Sequence, residues 1–187
     1  MEWTIPGTAI RGVRSDVEAS IRQIEGMFLG GGMIRSQMAS VSGVEAHDIQ
    51  NWVKRGFLPS PVNKRYSCNQ FCRIVTINML RSAMTMDKIC SLLTYVNGEL
   101  DDESDDLIDD TVLYFMFLRL AARARHIGGR DNWETAIADI LKDYREPIPG
   151  AKQRIDQVLR IMLTAWIGVQ TIRKAEQMLS ELGNAGI

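Results

Sequence analysis

The sequence is poor in the residues that carry most enzyme chemistry. Two histidines and three cysteines occur among 187 residues, and His47 and His126 stand far apart in the chain. There is no phosphate-cradling glycine loop, nucleophile elbow or metal-ligand cluster, so no enzyme is expected, and no catalytic residue, metal site or cofactor is assigned. An odd number of cysteines cannot pair completely within one chain. That argues against a disulfide framework and for a reducing cytoplasm. Cys68 and Cys72 lie four apart on one helix with Cys90 as a third thiol, and they are read as buried free thiols rather than a metal or redox site. Long apolar runs are missing too. The longest, Ile161 to Ile172, is broken by Thr164, Gly168, Gln170 and Thr171 and is well short of the ~20 residues that span a bilayer. No membrane partner is expected. The start, MEWTIPGTAIRGVR, lacks the basic segment and following apolar stretch of a secretory leader.

A net charge of one sign is also absent, since 22 Lys and Arg face 23 Asp and Glu for a total of −1. Taken alone this argues against nucleic acid as a partner. The charge is nevertheless segregated. Residues 34–98 hold eight basic against three acidic residues, for +5, whereas 99–110 hold eight acids and no base, for −8. The flanking segments are nearly neutral, at −1 for 1–33 and +3 for 111–187. One basic block is masked by one acidic run.

What is present is helical periodicity, with 45% apolar residues, as in an ordinary globular chain. Ile10, Val13, Val17, Ile21, Ile24 and Phe28 recur every three or four residues and predict one amphipathic helix over 9–28, ended by Gly30, Gly31 and Gly32. Helices are predicted over 112–125 and 132–144, and a long one from Gly150 to Leu182. The last carries two apolar stripes. One holds Ile155, Leu159, Met162, Trp166 and Val169; the other holds Val158, Ile161, Ala165, Ile172, Ala175 and Leu179. Two stripes imply burial against two partners, in a bundle or a dimer interface. No strand-length alternation appears. The fold class expected is all-α.

The basic block is the most informative stretch. Ser36 is placed as the cap of a short helix with Met38 and Val41 inward, Ser42 and Gly43 turn the chain, and a second helix runs from Ala46 to Arg55 and stops at Gly56. This makes a helix-turn-helix. Ala46, Ile49 and Val53 fall on the packing side, so His47, Asn51, Lys54 and Arg55 face outward with Gln50 on the flank. Amides that read base edges and cations that reach phosphates suit a helix in the major groove. Phe57, Leu58, Pro59 and Pro61 leave in an extended path toward a short wing, where Lys64, Arg65 and Tyr66 are expected to grip the sugar-phosphate backbone. Ser67 and Gln70 form a capping box for a third helix with Phe71, Ile74, Ile77, Met79 and Leu80 in the core. Thr85 caps a fourth helix with Ile89, Leu92, Leu93 and Val96, ended by Gly98.

With these elements in order, residues 34–97 resemble the winged helix-turn-helix domain of MerR-type bacterial transcription regulators, and most of all a MerR-like family of uncharacterised bacterial proteins. The resemblance rests on the serine-to-SGV turn over 36–44, on GFLPSP at 56–61, on KRYS at 64–67 and on TMDKI at 85–89. It implies a homodimer that contacts DNA through the second helix and the wing, which carries over to Gln50, Asn51, Trp52, Lys54, Lys64, Arg65 and Tyr66. Gln50-Asn51-Trp52 stands where the family usually has an arginine and two aromatics, so its base preference does not transfer. Glu45 opens the second helix where a small hydroxyl residue is common.

The organisation expected is an N-terminal helix and glycine linker over 1–33, a DNA-binding domain over 34–98, an acidic linker over 99–110, and a bundle over 111–187 for dimerisation or effector binding. The acids of 99–110 resemble a calcium loop only superficially, since Asp106 stands where such a loop needs Gly and Val112 where it needs Glu. They are read as a solvated linker. The function expected is sequence-specific binding of double-stranded DNA by a homodimer that regulates transcription, with a small-molecule effector as a further partner. Tyr114, Phe115, Phe117, Trp133, Met162 and Trp166 are candidates to line its pocket, though such residues are more often simply core. The alternatives are a protein-interaction module on the same fold, or a ligand or metal sensor centred on the bundle.

Overall fold

The computed structural model describes residues 2–98, 100, 106–124 and 130–184, leaving aside the side chains of 130–132 and 183–184. It is mostly helical, with 63% helix. In chain order the elements are β1 (Glu2–Thr4), β2 (Arg11–Val13), α1 (Val17–Gly26), β3 (Met33–Ile34), α2 (Arg35–Ser42), α3 (Ala46–Lys54), β4 (Arg65–Tyr66), α4 (Cys68–Leu80), α5 (Met86–Asn97), α6 (Asp110–Arg123), α7 (Arg130–Ile140) and α8 (Ala151–Asn184). No helix among the described residues is long and apolar enough to cross a membrane.

The helix expected over 9–28 is shorter than its periodicity suggests. Asp16 caps α1 by accepting from the Ala19 N–H, and upstream of it the chain folds back so that Arg11–Val13 pairs antiparallel with Glu2–Thr4. Gly12 permits this. A Cβ there would stand 2.5 Å from Ser20 Oγ and 2.9 Å from Ile5 Cγ1, so the strand lies directly on α1. The other ribbon joins Met33 to Tyr66 and Ile34 to Arg65. It also moves the start of α2. Pairing holds Ile34 extended, at φ −74° and ψ 161°, so the helix begins at Arg35 with Ile34 as its N-cap, and Ser36 lies exposed in the first turn rather than capping it.

α4 is the central helix. Ser67 Oγ accepts from the Gln70 N–H while Gln70 Oε1 accepts from the Ser67 N–H, the reciprocal pair of a capping box. From Phe71 to Ile77 every residue of α4 is buried. Asn78 ties the molecule together at the far end, donating to the carbonyls of Gly7 and Ser42 at 2.9 and 3.1 Å. One apolar cluster runs from Ile5 through α4 and α6 to Leu163.

That continuity corrects the end of the expected solvated linker. Residues 99 and 101–105 lie outside the described residues, but Leu107 and Ile108 are buried, Leu107 donates its N–H to the Val96 carbonyl, and Asp110 opens α6 inside the core. There its carboxylate meets the Arg73 guanidinium at 3.1 Å, with both side chains less than one-tenth exposed. Burial raises the Asp110 pKa, against the lowering effect of Arg73.

Candidate nucleic-acid interface

α2 and α3 are joined through Gly43, whose φ of 69° is the left-handed geometry that glycine adopts at least cost. α3 ends on Gly56 at φ 70°, with Gly56 N–H donating to the Val53 carbonyl and Phe57 N–H to the Trp52 carbonyl. This is the Schellman pattern. It sends Phe57 and Leu58 back toward α4, where Arg73 Nε holds the Phe57 carbonyl at 3.0 Å and Gln70 Nε2 holds those of Pro59 and Ser60. The orientation of α3 is therefore set from both ends.

On α3 the inward side is Ile49 and Trp52, with Ala46 and Val53 half-buried, while His47, Gln50, Asn51, Lys54 and Arg55 are exposed. Trp52 is 7% exposed, because it sits one turn after Ile49 on the packing face. It is therefore a support of the surface and not part of it. Above it the Arg81 guanidinium lies 5.8 Å from the Trp52 ring centre and bonds Asp48 at 3.3 Å, whose other oxygen lies 3.2 Å from His47 Nε2. Arg55 packs over Phe57, 4.7 Å from the ring centre. Glu45 occupies the N-cap position and makes no side-chain capping bond.

The β3–β4 ribbon continues into a tight turn. Val62 bridges Arg65, and the two residues between them, Asn63 and Lys64, have φ of 50° and 62°, the backbone signs of a type I′ hairpin turn. Lys64 is thereby held at an exposed tip. Arg65 is exposed and donates to the Gly32 carbonyl at 2.9 Å. Tyr66, one residue on, points to the opposite face and is buried at 4% exposure, so it anchors the ribbon instead of reaching a phosphate. Burial also pushes its phenol pKa up.

Sequence reasoning missed Arg35. The first residue of α2, it is exposed, and its Nη1 donates to Gln50 Oε1 at 2.8 Å, orienting the Gln50 amide with its NH2 group free to donate. The available signal was weak: a lone cation just before the short helix, in a block already counted as basic. The three thiols lie on α4 and α5; Cys72 is wholly buried as expected, whereas Cys68 and Cys90 are partly exposed. No group of three metal-ligating side chains forms among the described residues.

A family model described as a domain of unknown function, DUF1836, matches residues 34–117. The match runs through α2 to α5 and past Gly98 into α6, in keeping with the packing of α6 on α4. No curated protein and no solved structure matches the chain.

Proposed function

We propose that this protein binds double-stranded DNA as a homodimer and regulates transcription in a bacterial cytoplasm, with α2, α3 and the β3–β4 ribbon acting as a winged helix-turn-helix of the MerR-like kind. The observation that carries the reading is the joint exposure of Gln50, Asn51, Lys54 and Arg55 on α3 with Lys64 and Arg65 at the ribbon tip. α3 enters the major groove. There Asn51 and the Arg35-oriented Gln50 meet base edges, Lys54 and Arg55 meet phosphates, and His47 lies at the leading end. Lys64 and Arg65 hold the backbone alongside, while Trp52 and Tyr66 keep the two elements in place from beneath.

The homodimer is supported by α8. Ile161, Ala165, Gly168, Ile172, Ala175, Leu179 and Leu182 follow one another at alternating steps of four and three, the repeat of a coiled-coil seam. Of these, Ile161, Ile172, Leu179 and Leu182 are 43%, 59%, 70% and 71% exposed. The expected second stripe is thus divided, with Val158 in the core, Ala165 packed partly against it, and Ile161, Ile172, Ala175 and Leu179 left for a second copy.

Anisotropy titrations on a random duplex pool between 50 and 200 mM salt test the reading. Lys54, Arg55, Lys64 and Arg65 supply four phosphate-facing cations per copy, and a dimer that engages all eight gives a slope of log K on log salt of about −7. Lys64→Gly relieves a left-handed lysine and removes a cation, so the fold holds while the dimer's slope shrinks by about 1.8. Leu179→Lys yields a monomer by sedimentation and weakens binding. A flat salt response removes DNA from the account and favours the interaction-module reading.

A further inference from the structure

Three of the four tryptophans gather around one cleft of about 1290 Å³, between the N-terminal ribbon, the end of α4 and the outer half of α8. Its floor is a stack. The Arg14 guanidinium lies 5.3 Å from the Trp3 ring centre and 5.9 Å from that of Trp166. It is fixed there by donating to the Ala121 and Ala122 carbonyls at the end of α6. Trp133 closes another side. The indole N–H of Trp3 is shielded from solvent and has no hydrogen-bond partner among the described residues.

The charge of the cleft is one-sided. Arg14, Arg81, Arg173 and Lys174 line it, and no carboxylate does so among the described residues. Arg14 and Arg81 are engaged within the fold, whereas Arg173 and Lys174 are exposed on α8 with no ion pair among the described residues. Indole faces set among polar side chains, with two available cations at the rim, complement one class of ligand: a planar aromatic body bearing an anionic group. The ring inserts beside the indoles, and the anion meets Arg173 and Lys174.

The cleft also touches the elements that the proposed function uses. Gly43, the turn between α2 and α3, and Asn78, which holds that turn by the Ser42 carbonyl, both line it. Its opposite wall is the α8 helix that carries the dimer seam. We infer that the cleft is the effector site of this protein, taking an aromatic anion whose occupancy adjusts the angle between α8 and the α2–α3 turn. The regulatory half of this inference rests on the DNA-binding reading; the site itself does not.

The probe is 8-anilinonaphthalene-1-sulfonate, titrated into the full-length protein without DNA and followed by energy transfer from tryptophan. Its neutral counterpart, N-phenyl-1-naphthylamine, serves as comparison. The expected result is one sulfonate per chain, with strong transfer and binding about tenfold tighter than for the neutral ring. The double variant R173Q/K174Q weakens sulfonate binding by about the same factor at unchanged melting temperature, and Lys88→Gln on α5 leaves it unchanged. Trp166→Leu lowers transfer and affinity together. Several weak sites without transfer, equal binding of the neutral ring, or indifference to R173Q/K174Q each overturn the site. In a second arm, a saturating sulfonate shifts duplex affinity; intact probe binding with unchanged duplex affinity overturns the regulatory half. A protein that passes the first arm and binds no duplex keeps the site and loses the DNA reading.

Discussion

The Arg73–Asp110 pair is the sharpest test of how the candidate interface is held. Arg73 serves two masters, bonding the Asp110 carboxylate through Nη1 and the Phe57 carbonyl through Nε, and both ion-pair partners are almost wholly buried. Arg73→Met keeps the volume and leaves Asp110 a lone charge in the core, which costs about 3–5 kcal/mol at neutral pH, a large share of the 5–15 kcal/mol that holds a typical domain together. The loss depends on pH in a defined direction. Burial already raises the Asp110 pKa above its ordinary value, so in the window between the two the native state keeps a proton that the unfolded chain has lost, and stability falls as pH rises. Removing Arg73 pushes the native value higher and extends that window upward. Urea denaturation of Arg73→Met therefore shows near pH 4.5 mainly the pH-independent loss of the Phe57 carbonyl bond, about 1–3 kcal/mol, and a larger deficit at pH 7.5. The double variant R73M/D110L regains most of the loss, retaining about 1–3 kcal/mol for the unbonded Phe57 carbonyl. A deficit that does not change with pH, or a double variant no more stable than Arg73→Met, refutes the reasoning.

Three further outcomes are expected. Ser67→Ala removes the capping-box acceptor of α4 and costs about 1 kcal/mol by denaturant titration. Gly7→Ala sets a Cβ 2.1 Å from the Val75 carbonyl oxygen at φ 76°, a clash with the α4 backbone that lowers the melting temperature far more than Gly31→Ala, where φ is 85° with nothing within 4 Å and the backbone conformation alone costs about 1 kcal/mol. Glu18→Gln breaks the bidentate bond to Arg119. That bond holds the Glu18 pKa down, so its stabilisation is present above the ordinary carboxylate value and disappears as pH falls through the lowered one. Wild type and variant should converge in acid; equal melting temperatures at pH 7 would show that the exposed pair contributes nothing.

Local chemistry made much of this fold legible in the sequence. The Ser67–Gln70 box, the Gly43 turn, the Gly56 stop and the buried faces of α4 and α5 are each specified within a few residues, and each stands where its residues place it. Strand pairing was illegible because its partners are distant. Nothing near Arg11 announces Glu2–Thr4, and Ile10, Val13 and Val17 happen to keep helical spacing across a strand and a turn. The same blindness hid the ribbon that displaces the α2 start from Ser36. At the candidate interface, the outward residues of α3 followed from helical period alone. The burial of Trp52 and Tyr66 required knowing what lies beneath them, and the Arg35–Gln50 bond required the packing of α2 on α3. The Arg14 stack was illegible for a related reason, since Trp3, Trp166 and the end of α6 meet only in three dimensions.

In the proposed regulator, the outer half of α8 is a lever. From Trp166, beside the core, to Leu182, in the last turn of α8, the helix spans about 24 Å. A tilt of about 10° at the Trp166 end carries the tip about 4 Å sideways over that length. α4 and α6 are locked by a buried ion pair and a shared apolar cluster, so the surface on α3 has no joint of its own to swing on. In the proposed homodimer, control over the distance between two copies of that surface falls to one angle, at the root of one helix, where the proposed ligand has the greatest mechanical advantage.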